Sequence, residues 1–528
     1  SIALMLQALR TPRQGWKIAY SLLSLVLTAN YLWIYEYMIG FEGTRLLLLG
    51  YVLFRDGIRE FRTLARAILK RIWPYWLITL GFLYWRVFIF EGERNATDVS
   101  GLAGSYLSNF RFMSIRLILE TVKDFLDTSV FAWFVEPYHQ ISLATYSNLV
   151  FALIVAAIVA SLVWLYTSLF RTRWSMEAHK QDTPRLMRDF LWMGALVILF
   201  AISPVIASGR QMDLYDPYKS YGLHPIPGVM LFIIGIVLML QPLFRRWALV
   251  ALVVISVSTQ VLNADYWERY WEVQRELAWQ LTWRAPDIRD DTLVMASLSG
   301  GFNPQQDYEV WGPINLIYNP GAAKAPAIQA EVLNSATAYD ILRKEVRNNL
   351  VRDIRLRRDF NNLLLISYPS SASCFHVIDG TLPIYSGSES LLVQQVGSYS
   401  RVDRIIPSGE APIPPASIFG AEPPRGWCYY YQKASLARQA GDWGEVGRLY
   451  DEVRELNLET DDTSEVIPFL EGLVNLGRYE DARSLYREEI KGRAEVRLPL
   501  CNTLATDPGY PPEFGYDYKM IHEILCNS

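Results

Sequence analysis

Glu36, Glu42 and Arg45 stand at a turn between two apolar runs, Arg86 lies near the end of a third, and the short loop Ser208–Pro225 adds Arg210, Asp213, Asp216, Lys219, Tyr221 and His224. Charges in or beside hydrocarbon are costly and tend to face a pocket or a partner. Together these residues would line one pocket at bilayer level. Its carboxylates, with Asp213 and Asp216 as the catalytic candidates, would take a proton or bind a divalent metal. Its cations, Arg210 and Lys219 with Arg45 and Arg86, would hold a phosphate, with Tyr221, His224, Glu36 and Glu42 as further binding candidates. The same residues fit a plainer arrangement, in which Glu36, Glu42 and Arg45 form a structural ion pair and the loop charges are simply solvated.

Other chemistry finds little support. There is no phosphate-binding G-x-x-x-x-G-K-[ST], no G-x-G-x-x-G after a strand, no H-E-x-x-H and no G-x-S-x-G elbow. His139, His179, His224, His376 and His522 are scattered, which argues against a histidine-rich metal site. A net charge of −4 and a pI near 5.9 leave no concentrated basic face for nucleic acid. Cys374, Cys428, Cys501 and Cys526 form no C-x-x-C pair. In an oxidising compartment they would make one or two disulfides, with Cys501–Cys526 the preferred pairing, and free buried thiols are the alternative.

The elements that must position this chemistry divide the 528 residues between two solvents. A helix needs about 20 apolar residues to cross hydrocarbon. About seven transmembrane segments are expected within 18–264: Ile18–Met38, Gly40–Phe54, Ile72–Phe90, Leu143–Phe170, Phe190–Ser208, Ile226–Leu240 and Trp247–Asn263. The second and sixth are short, and a re-entrant hairpin competes for the second. Counting it as a crossing gathers Arg10, Arg13 and Lys17, then Arg55 to Arg71, Arg171 to Arg188, and Arg245 with Arg246 in one compartment. Positive residues concentrate in cytoplasmic loops, so the parity predicts a C-terminal half outside the cytoplasmic membrane. Residues 1–17 read as the cytoplasmic end of a longer upstream part. In the loop after the third span, Ile115, Ile118, Leu119, Val122, Phe125 and Leu126 repeat at helical spacing. That pattern predicts a helix flat on the outer leaflet, or else one packed on the soluble domain.

Residues 265–425 read as an aromatic membrane-interface stem followed by a mixed α/β module. Strands are expected at Thr292–Ser297, Asn362–Tyr368 and Cys374–Asp379, and helices at Tyr308–Tyr318 and Ala336–Arg347. A proline-rich connection, Pro407–Pro424, leads to residues 426–528. There two helix pairs turn at Gly441 and Gly477, 36 residues apart and close to the tetratricopeptide period of about 34. A degenerate third pair would lie near Leu500–Ala505 and Tyr518–Leu525. Such repeats bind a protein partner on a concave face or serve as a structural cap.

Three stretches carry a resemblance: Glu36-Tyr37-Met38-Ile39-Gly40-Phe41-Glu42, Asn263–Pro286 with its Trp-Gln-Leu-Thr-Trp-Arg-Ala-Pro ending, and Gly426-Trp427-Cys428-Tyr429-Tyr430-Tyr431. Over most of its length the chain resembles a group of uncharacterised bacterial polytopic membrane proteins, similar in layout to GT-C-type glycosyltransferases. The resemblance implies transfer of a sugar from a polyprenyl-phosphate donor to an extracytoplasmic acceptor. A carboxylate would deprotonate the acceptor, and cations would stabilise the departing lipid phosphate. In that class the acidic residue belongs to a first outer loop, which here would lie upstream of Ser1, so no residue is matched to it. The alternative is a non-enzymatic membrane scaffold that recruits envelope proteins through its helical repeats.

Overall fold

The computed structural model describes residues 1–90, 104, 108–169, 183–214, 220–300, 304, 306–321, 326–351, 354–384 and 386–506. The chain divides into two compact units, Ser1–Trp267 and Glu268–Ser528, and the division falls inside one helix, Pro242–Arg284. The expected α/β module and helical pairs therefore share the second unit.

The first unit is a helical membrane bundle. Among the described residues six helices are long and apolar enough to cross a membrane: Gln14–Ile34, Glu36–Arg55, Phe61–Ile89, Tyr146–Leu169, Thr183–Ala207 and Phe244–Arg284. On two of them burial is inverted relative to a water-soluble protein. On Gln14–Ile34 the hydroxyls of Ser24 and Thr28 are inside, while Leu22 and Val26 are 58% and 63% exposed. On Tyr146–Leu169 the buried residues are Ala152, Ala156 and Ala160, a small-residue stripe with Leu153, Ile154 and Ile158 turned outward. Lipid is as apolar as leucine, so helices in it associate through small residues and polar contacts and leave their large apolar side chains outward.

The expected sixth span, Ile226–Leu240, is a helix of only 14 residues, Ile226–Met239. That is about 21 Å of helix against a hydrocarbon layer of about 30 Å. The helix begins with Pro227 in its first turn and ends before Pro242 opens the next one. It packs antiparallel on Thr183–Ala207 through glycines. A Cβ on Gly228 would stand 2.7 Å from the Ile198 nitrogen, and one on Gly194 2.5 Å from that of Phe232. We expect Gly228→Ala to cost about 1–3 kcal/mol, because backbone rather than a flexible side chain is in the way. Thermal unfolding of the detergent-solubilised protein measures this, and an unchanged midpoint would mean that the two helices separate freely.

The helices run alternately. Tyr51 bonds Asp189 at 2.7 Å, Arg246 reaches the Thr167 carbonyl, and Trp164 lies 5.2 Å from Trp247, all toward one end. At the other end Arg86 pairs with Glu36, and Asn148 bonds Asp265 at 2.5 Å. The loop helix is longer than expected, Phe110–Ser129, and packs on Thr183–Ala207 by its polar edge. Asp124 is fully buried there, whereas Ile118 and Leu119 are 63% and 64% exposed. An open apolar face is what a helix lying in a lipid surface presents.

In the second unit, strands β1 (Leu293–Leu298), β2 (Gln329–Val332), β5 (Leu363–Tyr368) and β6 (His376–Val377) form a sheet in the order β2-β1-β5-β6. β1 is parallel to β2 and β5, and β6 is antiparallel to β5. The helix Tyr308–Tyr318 makes the crossover that parallel pairing requires. Leu293, Met295, Leu363 and Leu365 pack against Ile341, Val393 and Val396. Strand β2 and the hairpin β3 (Val346–Val351) with β4 (Ile354–Asp359) were not expected. The expected helix Ala336–Arg347 instead stops at Arg343, where Lys344 takes a left-handed conformation, φ 53°. Arg347 and Arg358 can sit in the hairpin because Asp340 and Glu331 pair with them.

After Pro424 come two helix pairs, Trp427–Ala440 with Trp443–Glu455, and Ile467–Asn475 with Tyr479–Leu485. Gly441 and Gly477 turn them at φ 72° and 71°, a region glycine enters without a Cβ penalty. Val446, Leu449, Tyr450, Phe469 and Leu473 form their core. A further helix, Ala494–Thr506, follows, and the expected Tyr518–Leu525 lies outside the described residues.

A disulfide joins Cys374 to Cys428, with Cα atoms 5.4 Å apart. Sequence spacing had favoured Cys501–Cys526 and left this pair open. Cys501 is also disulfide-bonded, and Cys526 lies outside the described residues. The Cys374–Cys428 link closes a 54-residue separation between β-sheet module and helices, so its loss should cost about 2–4 kcal/mol. Comparing unfolding of Cys374→Ala/Cys428→Ala with the parent tests this.

Candidate functional site

Of the residues singled out in the sequence, the structure gathers Glu36, Arg86, Arg210, Tyr221 and His224 at one end of the membrane bundle. The helix Thr183–Ala207 ends in a motif that aims the loop: Gly209, at φ 76°, bonds the Ile206 carbonyl, and the Arg210 N–H bonds that of Val205. Arg210 donates to the Tyr221 hydroxyl and lies over the rings of Tyr37 and Tyr221, at 5.6 and 5.8 Å. Arg86 pairs with Glu36 at 2.5 Å and covers Phe90.

The loop is clipped to the surface helix Phe110–Ser129. Lys123 donates to the Met212 carbonyl at 2.8 Å, the Met212 N–H approaches Asp124, and Gln211 bonds Glu120. Asp213 follows directly and is exposed. Asp216 and Lys219 lie outside the described residues.

His224 is 2% exposed and stacks on Tyr35, with centroids 4.9 Å apart and planes 1° from parallel. Its Nδ1 lies 3.0 Å from the Tyr221 carbonyl, so Nδ1 carries the proton and Nε2 keeps its lone pair. That Nε2 is buried without a hydrogen-bond partner among the described residues. Burial lowers the His224 pKa below the ordinary histidine value, which keeps the ring neutral. A neutral imidazole with a lone pair on Nε2 can accept a proton.

Glu42 and Arg45 belong to a different cluster, inside the bundle. Arg45 is fully buried, contacts both Glu42 oxygens at 3.0 and 3.1 Å, donates to Thr28 at 2.8 Å and to Ser1 at 2.7 Å, and lies 3.9 Å over Tyr75. Tyr31 donates to Glu42. This is the structural ion pair that the sequence left open, without Glu36.

Sequence reasoning missed Tyr35 and Tyr37, which wall His224 and Arg210. Their alternation around Glu36 was the available signal. Among the described residues, one trio of metal-ligand type converges, and it belongs to the second unit: His376, Asp462 and Glu465. No family model, no curated protein and no solved structure matches this chain.

Proposed function

We propose that the chain is an integral membrane glycosyltransferase of GT-C-like layout, using a polyprenyl-phosphate-linked sugar as donor. The carrying observation is the cluster at one end of the bundle, where Arg210 lies over Tyr37, Tyr37 meets the ring of buried His224, and Arg86 pairs with Glu36. Arg210 and Arg86 bind the donor's phosphate and stabilise the charge it gains as the sugar departs. His224 takes the proton of the acceptor hydroxyl, a role the sequence reading had given to Asp213 or Asp216.

The site opens to the extracytoplasmic side. The opposite end of the bundle collects Arg55, Arg59, Arg62, Arg185, Arg188, Arg245 and Arg246, which by the distribution of positive charge is cytoplasmic. The lipid carrier reaches the site along the outer leaflet, where the apolar face of Phe110–Ser129 lies.

Deleting the protein tests the reading. Cells lacking it should accumulate a lipid-linked sugar and lose one extracytoplasmic glycan, and the parent protein should restore both. An unchanged glycan and lipid-carrier profile, with loss of an envelope protein complex on removing Trp427–Ser528, would establish the scaffold instead.

A further inference from the structure

His376 opens β6 beside the carboxyl end of β5, where it pairs with Ser367. It is 5% exposed, and both ring nitrogens face buried carboxylates: Nδ1 lies 2.9 Å from Glu389 and Nε2 3.2 Å from Glu465. A neutral imidazole has one N–H and one lone pair. With Nδ1–H given to Glu389, the Nε2 lone pair would point at a carboxylate oxygen, which is repulsive unless a cation lies between them. Asp462 adds a third carboxylate, brought close by its own turn, in which it caps Ser464 and Glu465 follows. Three carboxylates around one imidazole bring an excess of negative charge to a buried place, where the cation on the adjoining cavity wall, Arg438, is itself paired with Glu471.

We propose that His376 Nε2, Asp462 and Glu465 bind one divalent cation of the zinc type. Their ligand atoms lie within 4.8 Å of one another. The Nε2–Oε1 separation of 3.2 Å is close to the spacing of about 3.3 Å between neighbouring ligands of a tetrahedral ion with bonds near 2.0 Å. Drawing in the widest pair needs movements of about 1 Å. Nitrogen with carboxylate oxygen suits zinc better than magnesium or calcium, which take oxygen sets.

The surroundings match what metal ligands need behind them. Glu389 orients His376 through Nδ1 and is itself held by Ser367 at 2.5 Å. Glu465 accepts from Trp427 Nε1 at 2.6 Å, Thr460 at 2.8 Å and the Cys374 N–H at 2.5 Å. Ser373 and Ser386 hold Asp462, each at 2.8 Å. A cavity of about 80 Å³ borders His376, Glu389, Ser386, Ser464 and Tyr431. It has room for about two waters at roughly 30 Å³ each. Of the three ligands His376 alone lines that cavity, and a tetrahedral ion held by three protein ligands keeps one further position for water or a ligand oxygen.

The test uses the full chain purified in detergent, stripped with chelator and then titrated with Zn²⁺. Wild type should hold one equivalent per chain and unfold at higher temperature with zinc than with chelator. Asp462→Asn and His376→Ala should lose stoichiometric binding, and Glu389→Gln should weaken it by about 10–100-fold. The stabilisation by zinc should grow as pH rises, because the metal competes with a proton for Nε2.

The rival is a proton at Nε2. Burial disfavours the imidazolium, but Tyr431, Glu389 and Glu465 outweigh that and hold its pKa well above the ordinary histidine value. Stability from that proton is complete below about pH 6.5 and is lost as pH rises through the folded-state pKa, the opposite trend. Absence of stoichiometric zinc, with a midpoint indifferent to chelator and falling at high pH, would overturn the proposal.

Discussion

Arg210→Ala is expected to lower sugar transfer by about 10²–10³-fold, the usual consequence of removing one group that stabilises developing charge. Arg210 is half-buried between two aromatic rings and bonded to Tyr221, so its guanidinium is held in place before any substrate arrives. Lysine would restore the charge but not the fork that meets two phosphate oxygens, so Arg210→Lys should recover only part of the rate. His224→Ala should cost a comparable factor, about 10²–10⁴ for a lost proton acceptor. Its pH signature is separate. The base works only when neutral, so the rate should fall as acid protonates Nε2. Because burial lowers that pKa, the fall should come below the ordinary value of about 6.5. Transfer from a labelled lipid-linked sugar in membranes, normalised to protein level, measures all three variants. Full activity of both alanine variants would remove the site from the chemistry altogether.

The second large effect lies inside the bundle. Glu42→Leu leaves the fully buried Arg45 without its counter-charge, and breaking such a pair costs about 3–5 kcal/mol. Glu42→Leu/Arg45→Leu removes both charges and should regain most of that loss, because a buried pair is often replaceable by apolar side chains. Thermal unfolding of the solubilised variants and their abundance in membranes report the difference. The double variant should retain transfer, since Arg45 is saturated by Glu42, Thr28 and Ser1. If the double variant were stable yet inactive, Glu42 and Arg45 would belong to the reaction.

What the sequence by itself determined was the solvent of each segment and much of the local structure. Apolar length marks the membrane helices, and six such helices appear among the described residues. Gly441 and Gly477 appear at left-handed turns because few other residues tolerate that backbone. The short helix Ile226–Met239 shows where that logic ends, since hydropathy counts apolar residues but prolines at both ends set the length. The hairpin Val346–Asp359 was hidden for a related reason: its arginines look like a solvated helix until Asp340, on the helix before it, pairs with Arg347 and Glu331, on β2, pairs with Arg358.

Only tertiary structure decided which charges share a site. Glu36 and Glu42 are neighbours in the chain, yet the turn between helices sends one to Arg86 and the other to Arg45. Glu465 lies 89 residues from His376 in sequence, and the two meet where β6 adjoins the helical pairs, beside the Cys374–Cys428 bridge. Hydrophobicity acts on each segment independently and is legible residue by residue. Charge pairing depends on distances of a few ångströms between segments, and those exist only once the chain has packed.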